Sequence, residues 1–195
     1  CSRTGTQAIV DAAINTSEIV QFLKDYPVAI LITHGHGDHT AFLDKYVQQY
    51  PGTTILGHPD SKLKEEYPNF KKVDNNQEVI IGKMKFKCIH TPGHYFDSIC
   101  YQVSPVLFTG DTMFVGRTGR IKGKYSSIED LYDSIYNKIL KMPGGIKIYP
   151  GHDYGNKPNI TLKENILNSP LLSANSLDEF KKRMDDYEKN RKIGS

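Results

Sequence analysis

The chain contains 195 residues, of which 38% are hydrophobic, and 25 basic against 22 acidic side chains give a net charge of +3. This length suits one compact domain with a sizeable buried core, so we predict a single domain over residues 1–195. The small, dispersed charge argues against nucleic acid as a partner, and no apolar run approaches the roughly 20 residues of a membrane helix. We therefore expect a globular protein with at most a preference for small anionic molecules.

Cysteine usage indicates a reducing compartment. Cys1, Cys88 and Cys100 show no paired or Cys-x-x-Cys spacing, and an odd count does not predict a disulfide framework. A cytoplasmic location is therefore expected, while the oligomeric state stays open. Because the chain starts at Cys1 and its first strand follows abruptly, we also expect an N-terminal strand ahead of this sequence.

The first half of the chain alternates between strand and helix patterns. The predicted elements are a strand at 6–12, a helix at 16–26, a buried strand at 28–33, a helix at 40–50, a strand at 53–57, and a hairpin over 76–90 that turns at Gly82.

The second half repeats an order of strands, helix and strand. The predicted elements are strands at 98–103 and 106–109, a helix at 128–140, a strand at 146–149, and a helix from about 177 to 189 within a helical tail of about 158–195. An alternation of this kind predicts a layered α/β fold.

A dense group of metal-ligand side chains lies between the strand at 28–33 and the helix that follows. His34, His36, Asp38 and His39 fall within six residues. The intervening glycines lack a Cβ, which lets a backbone turn tightly and aim the side chains inward. One histidine here would more often be a surface or hydrogen-bonded core residue. Three with an aspartate are far more typical of a metal site.

Three further ligand types follow a glycine at the end of later predicted strands: His94, Asp111 and His152. Each alone could belong to an ordinary turn. Together with the first group they place five of the seven histidines in strand-end loops at one sheet edge. Imidazole and carboxylate ligands suit zinc or iron.

The combined pattern resembles the metallo-β-lactamase superfamily, whose signature is a His-x-His-x-Asp-His turn followed by a lone His, a lone Asp and a lone His. The match runs from about Ala8 to at least Tyr154. The resemblance implies an α/β fold, a four-layer αβ/βα sandwich, with two divalent metal ions at one sheet edge. It assigns the ligands as His34, His36 and His94 for one ion, Asp38, His39 and His152 for the other, and Asp111 as the bridge.

This ligand set predicts hydrolysis without a serine or cysteine nucleophile. A bridging carboxylate can hold two cations about 3.5–4 Å apart, and water bound to such cations ionises near neutral pH to a hydroxide nucleophile. Asp38 is a catalytic candidate, because a carboxylate there could orient that water or take its proton. We expect zinc, with iron as the alternative.

Neighbouring residues narrow the resemblance to one branch. Asp111 stands where lactam-hydrolysing members commonly have cysteine, and His36 stands where flavodiiron members have glutamate. The stretches 108–120 and 149–154 are similar to the glyoxalase II and persulfide dioxygenase branch. There, residues matching Arg120 and Tyr154 bind a glutathione-like thiol conjugate, although each could instead be a surface cation or a packed aromatic ring.

Three functions follow, in order of preference. The first is a thioester hydrolase of glyoxalase II type acting on a small-molecule thioester or other thiol conjugate. The second is a persulfide dioxygenase with a single iron on His34, His94 and Asp111 as a facial triad. The third is a non-catalytic metal-binding module. Lys122 stands where glyoxalase II tends to carry an aromatic residue, which leaves the acyl group and the thiol carrier open.

Overall fold

The structure is a computed structural model that describes residues 1–190. Their packing defines two compact units: Cys1–His90 with Asp97–Val103, and Thr91–Phe96 with the residues from Ser104 onward. No helix within residues 1–190 is long and apolar enough to cross a membrane. A single domain over residues 1–195 stays a prediction, and the end of the predicted tail, residues 191–195, lies outside the described residues.

The first unit combines a parallel sheet, in the order β1-β2-β3-β4, with the antiparallel strands β5-β6-β7. Its strands are β1 (Ala8–Val10), β2 (Ala29–Leu31), β3 (Thr54–Gly57), β4 (Phe70–Lys72), β5 (Glu78–Ile81), β6 (Met84–His90) and β7 (Ile99–Val103). Its helices are α1 (Thr16–Ile19, continued by a 3-10 turn at Val20–Phe22), α2 (Gly37–Thr40), α3 (Leu43–Gln49) and α4 (Leu63–Glu66).

The core of the first unit explains its parallel sheet. All three residues of β2 are buried, so this strand is aliphatic throughout instead of alternating with polar residues. Ile30 and Ile55 pack against Leu43 and Tyr46 of α3, and all four side chains are fully buried. Strands β1 and β2 run in parallel register, so both end at the same edge of the sheet. The residues that follow the two strands therefore lie side by side.

Tyr101 on β7 connects the two sets of strands in the first unit. Its buried hydroxyl donates to the carbonyl oxygen of Ile32 at 2.8 Å and lies 3.2 Å from that of Leu56, just beyond β2 and within β3. Burial raises the pKa of this phenol well above its ordinary value. The hydroxyl therefore stays protonated and supplies a hydrogen-bond donor to the buried Ile32 carbonyl.

We expect Tyr101→Phe to lower the free energy of unfolding by about 1–3 kcal/mol, because it leaves the buried Ile32 carbonyl without the donor that Tyr101 supplies. Urea denaturation measures the effect. Tyr26→Phe is the matched control, since Tyr26 is 69% exposed. Equal stability of the Tyr101→Phe variant and the wild type would contradict the anchoring role.

The second unit contains the remaining strands and helices of the described chain. Its strands are β8 (Val106–Gly110), β9 (Met113–Phe114), β10 (Arg117–Thr118), β11 (Lys147–Pro150) and β12 (Ile160–Thr161). Its helices are α5 (Ile128–Tyr132, continued by a π-helical stretch at Asp133–Lys138 and a 3-10 turn at Ile139–Lys141), α6 (Leu162–Asn168), a 3-10 turn at Pro170–Leu172, and α7 (Leu177–Asn190). Strand β11 pairs in parallel with β8 and antiparallel with β12, while β9 and β10 form a short hairpin.

A glycine sets the start of the second unit. Gly93 has φ +140°, and a Cβ there would overlap the backbone of Leu131, which is fully buried in α5. The backbone N–H of Ser127 donates to the Gly93 carbonyl, and the Ser127 side chain caps α5. The segment just before His94 is therefore held against the start of this helix.

Each predicted strand is present, with ends that differ by up to two residues. Two predicted helices are wrong in extent. The helix over 16–26 ends as a 3-10 turn at Phe22, because the Gln7 side chain accepts the backbone N–H groups of Lys24 and Asp25. The helix over 40–50 is broken near Phe42, whose backbone N–H donates to the Ala12 carbonyl. The short elements α2, α4, β4, β9, β10 and β12 were not predicted, whereas α6 lies within the predicted helical tail.

Candidate metal centre

A buried aspartate organises the turn that follows β2. Asp11, which is 8% exposed, accepts the backbone N–H of Thr33 at 2.7 Å and the Thr33 hydroxyl at 2.8 Å. Its Oδ2 atom also lies 2.7 Å from Nδ1 of His39. Asp11 follows β1 and Thr33 follows β2, so the shared edge of the parallel sheet brings them together.

These contacts decide which ring nitrogen each buried histidine offers. The Asp11 carboxylate accepts the Nδ1 proton of His39, which leaves Nε2 as the nitrogen that could bind a metal. The Thr33 hydroxyl gives its only proton to Asp11, so toward His34 Nδ1, 3.2 Å away, it can only accept. His34 therefore carries its proton on Nδ1 and also offers Nε2.

Four predicted ligands of the first unit lie close together. His34 Nε2 is 2.9 Å from His36 Nδ1, and ligand atoms of His34 and His39 lie within 4.8 Å of each other. His39 Nε2 lies 4.0 Å from Asp38 Oδ2. His34 and His39 are 1% exposed, whereas the Asp38 side chain is 59% exposed. The turn thus presents two buried imidazoles with a carboxylate at its solvent side.

A second buried carboxylate fixes the middle of the same turn. Asp97 Oδ1 accepts the backbone N–H of Gly35 at 3.1 Å, and the Ile99 N–H donates to the Thr33 carbonyl at 2.7 Å. Burial raises the pKa of the Asp97 carboxyl above its ordinary value. The backbone between the first two ligand histidines is therefore tied to the segment that leads into β7.

The Asp97 contact predicts opposite results for two substitutions. Asp97→Asn keeps an oxygen for the Gly35 N–H and removes a buried ionisable group, so we expect a stability at pH 7 equal to or above that of the wild type. Asp97→Ala removes the acceptor and should cost about 1–3 kcal/mol. Urea denaturation in chelator measures both variants.

The pH dependence of the free energy of unfolding provides a control, because the raised pKa of Asp97 fixes the direction of the change. A folded-state pKa above the unfolded value means that the native state binds the proton more tightly, so this contribution to stability is lost as the pH rises through the folded pKa. Asp97→Asn should remove that loss. A stability of Asp97→Asn as low as that of Asp97→Ala would contradict this account.

The second unit brings three predicted ligands together, with two histidines on one oxygen of an aspartate. Asp111 Oδ2 lies 3.5 Å from His94 Nε2 and 3.5 Å from His152 Nε2, and Asp111 is 8% exposed. The parallel pairing of β8 and β11 explains part of this arrangement, because the Gly151 N–H donates to the Gly110 carbonyl at 2.9 Å. Asp111 and His152 therefore leave neighbouring strand ends.

His94 is oriented by backbone rather than by a side chain. Its Nδ1 lies 2.9 Å from the carbonyl oxygen of Arg120, an atom that can only accept, so Nδ1 carries the proton. A Cβ at Gly119 would overlap the carbonyl oxygen of Asp111 and contact the His94 side chain. The segment 119–120 therefore packs directly against two ligand-bearing residues and leaves Nε2 of His94 for a metal.

The donor atoms fit first-row transition ions. Two ligands at 2.0–2.1 Å from a tetrahedral zinc ion lie about 3.4 Å apart, which is close to the two 3.5 Å separations at Asp111. Both separations exceed the usual 2.7–3.2 Å range of a hydrogen bond, by about 0.3 Å or more. Neutral imidazoles with fixed tautomers and a buried carboxylate are ligands that zinc and iron prefer.

The two predicted substrate-binding residues lie beside ligand residues. The Tyr154 ring stacks on the His152 ring, with centroids 4.9 Å apart and an angle of 22°, and Tyr154 is 43% exposed. Arg120 contacts His94 through its carbonyl oxygen, and its guanidinium forms no hydrogen bond or ion pair within residues 1–190. Substrate binding by either side chain stays a prediction.

Sequence reasoning missed the residues that support the ligands: Asp11, Thr33, Asp97 and Arg117. Asp11 carried a usable signal, because it ends the first apolar strand at the sheet edge where the histidine turn begins. The backbone does not itself require glycine at position 37, since Gly37 lacks a positive φ and an added Cβ would meet no atom within 4 Å.

Comparison with known proteins agrees with this architecture. Residues 3–152 match the family model of the metallo-beta-lactamase superfamily. ETHE1 from Myxococcus xanthus has a similar solved structure, with a TM-score of 0.83 and 26% identity over 95% of this chain and 82% of that chain. The chain therefore belongs to the metallo-β-lactamase superfamily, and the predicted α/β fold of that family is confirmed.

Two curated relatives are hydrolases by name. One is the probable polyketide biosynthesis zinc-dependent hydrolase PksB of Bacillus subtilis, 29% identical over 80% of this chain and 71% of its own length. The other is the hydroxyacylglutathione hydrolase of Francisella philomiragia, 36% identical over 75% of this chain. The match spans only 59% of the Francisella enzyme and about half, 49%, of related Francisella enzymes.

Proposed function

We propose that this protein is a metal-dependent thioester hydrolase of the glyoxalase II, or hydroxyacylglutathione hydrolase, type. The observation that carries the proposal is Asp111 Oδ2, which lies 3.5 Å from Nε2 of both His94 and His152. A carboxylate oxygen between two imidazoles from different strand ends is suited to bridge two cations. The hydrolase names of the Bacillus and Francisella relatives support the same reaction class.

In this proposal, the two groups of ligands described above act as one two-metal centre. His34, His36 and His94 would hold one ion, Asp38, His39 and His152 would hold the other, and Asp111 would contact both. We propose zinc as the native metal, in line with the name of the Bacillus relative, with iron as the alternative. When bound, the ions would lower the pKa of a coordinated water to near 7 and polarise a substrate carbonyl.

The residues of the chain supply orientation and proton transfer. Asp38 is the exposed carboxylate of its group, so it can accept a proton from an attacking water or orient it. The Asp11 carboxylate holds the His39 ring in one tautomer throughout the reaction. Charge and geometry at the site are thus set before a substrate arrives, which is the condition for efficient electrostatic catalysis.

The substrate side is proposed to bind an anionic thiol conjugate in the cytoplasm. The Arg120 guanidinium is uncommitted within the described residues and can pair with a carboxylate, and the partly exposed Tyr154 ring lies beside His152. Lys122, in contrast, lies 3.8 Å from Glu188 of α7. Lys122 therefore pairs with α7 and offers a substrate no aromatic contact, and the proposal leaves the thiol carrier open.

A persulfide dioxygenase is the second candidate, and the structural similarity to ETHE1 from Myxococcus xanthus is the reason to test it. It would need one iron on a facial triad of His34, His94 and Asp111. His94 and Asp111 are neighbours in the second unit, as that triad requires. The two candidates differ in whether the ligands proposed for the second ion, Asp38, His39 and His152, matter for turnover.

Reaction type separates the two candidates directly. We expect zinc-loaded protein to cleave S-acyl thioesters at the same rate with and without dissolved oxygen, because hydrolysis consumes only water. Exhaustive chelation should abolish turnover and lower the melting temperature. Thiol release and oxygen uptake are measured on zinc-loaded and iron-loaded portions of one preparation.

Oxygen uptake on addition of glutathione persulfide, without thioester cleavage by either portion, would favour the dioxygenase. Thioester cleavage that survives complete removal of metal would contradict both candidates.

Arg120→Ala should raise KM more than it lowers kcat, because a contact remote from the scissile bond contributes mainly uniform binding.

Asp111 should be the most sensitive ligand position. We expect Asp111→Ala to lose more bound metal and more turnover than His39→Ala, because Asp111 alone is assigned to both ions. Metal content by mass spectrometry and kcat are compared for the two variants. Wild-type metal content and turnover in Asp111→Ala would contradict the bridging assignment, and full turnover in His39→Ala would favour the mononuclear oxygenase.

A further inference from the structure

Arg117 on β10 is a buried cation with an unusual set of partners. It is 9% exposed and has no ion pair with a carboxylate within residues 1–190. Its Nη2 donates to the Tyr154 carbonyl at 2.9 Å, and its Nη1 donates to the Tyr187 hydroxyl at 3.1 Å. The guanidinium carbon also lies 4.4 Å from the centroid of the Tyr154 ring. Arg117 therefore holds both the backbone and the ring of Tyr154.

The Tyr154 ring passes this contact on to a ligand residue. It stacks on the His152 ring with centroids 4.9 Å apart and an angle of 22°. The Phe114 ring meets Tyr154 edge-on at 5.2 Å. A chain of direct contacts thus runs from Arg117 through Tyr154 to His152, whose Nε2 faces Asp111 at 3.5 Å.

The strand that carries Arg117 is itself fixed. Asn165 of α6 is fully buried, and its side-chain amide donates to the Phe114 carbonyl at 2.8 Å while its oxygen accepts the Gly116 N–H at 2.7 Å. A Cβ at Gly155 would overlap the Val115 side chain, so the loop after Tyr154 packs against the same hairpin. Arg117 therefore connects a rigid hairpin to the loop that carries His152.

We infer that Arg117 is a positioning residue that orients His152 by clamping Tyr154 and couples this loop to α7 through Tyr187. The inference rests on the proposed role of His152 as a metal ligand. An arginine is needed because its planar fork can donate to two acceptors while its face lies on an aromatic ring. A buried cation without a carboxylate partner is expensive, so a role in stability alone would be served better by an apolar side chain.

The test is the zinc affinity of the full chain, measured by competition with a chromophoric chelator. We expect Arg117→Met to weaken one of the two zinc ions about 10–100-fold, the usual effect of losing a group that orients a ligand. Arg117→Lys should give an intermediate loss, because an ammonium keeps the charge without the planar fork. Tyr187→Phe, which removes one of the two hydrogen bonds, should give a smaller loss than Arg117→Met.

Arg183→Met is the matched control. Arg183 lies on α7 in the same unit, and its guanidinium contacts the Pro170 carbonyl, Ser173 and Glu179 but not the His152 loop. We expect wild-type zinc affinity for this variant. The visible spectrum of cobalt-loaded protein gives a second readout, since a rotated His152 changes the ligand field and a purely structural defect does not.

Unchanged affinity for both zinc ions and an unchanged cobalt spectrum in Arg117→Met and Arg117→Lys overturn the inference while leaving the proposed hydrolase intact. An equal loss in Arg183→Met also overturns it, because the effect would then be a general weakening of α7. Wild-type protein that binds no zinc would overturn both this inference and the proposed two-metal centre. If Arg117→Met does not fold, Arg117→Lys and Tyr187→Phe carry the same test.

Discussion

An imidazole ring can bind a cation only through a nitrogen that carries no proton, so a histidine metal site depends on control of tautomers. Three candidate ligands, His34, His39 and His94, have an Nδ1 atom in contact with a hydroxyl, a carboxylate and a backbone carbonyl, respectively. All three contacts leave Nε2 as the nitrogen that could coordinate a cation. Each contact has its own structural support. The parallel sheet places Asp11 beside His39, the turn after β2 places Thr33 beside His34, and the segment at 119–120 places a carbonyl beside His94.

The candidate ligands were predictable because they concentrate at strand ends and their spacing is specific. Strands β2, β8 and β11 were predicted from apolar runs, and the residues after them are the ones that the structure gathers within each unit. The supporting residues were harder to predict, because a lone Asp11 or Arg117 resembles any other loop or strand residue until its neighbours in space are known. Two-residue strands such as β9 and β10 are too short to have a periodicity.

The supporting groups share one property, which is that they combine burial with charge or strong polarity. Asp11, Asp97 and Arg117 are each at least about nine-tenths buried and each contacts a residue in or next to a ligand segment. Burying such groups costs stability unless their hydrogen bonds are made. In this protein the hydrogen bonds of Asp11 and Asp97 go to a candidate ligand or to the backbone beside candidate ligands, and those of Arg117 go to the loop after His152 and to α7. Polar burial is therefore concentrated around the proposed centre.

The central claim, a two-metal centre bridged by Asp111, is tested most directly by anomalous diffraction at the zinc and iron absorption edges from crystals of the protein as purified. The account predicts two peaks about 3.5–4 Å apart, with one oxygen or both oxygens of the Asp111 carboxylate in contact with both ions. A single peak, or two peaks of which Asp111 contacts only one, would contradict it.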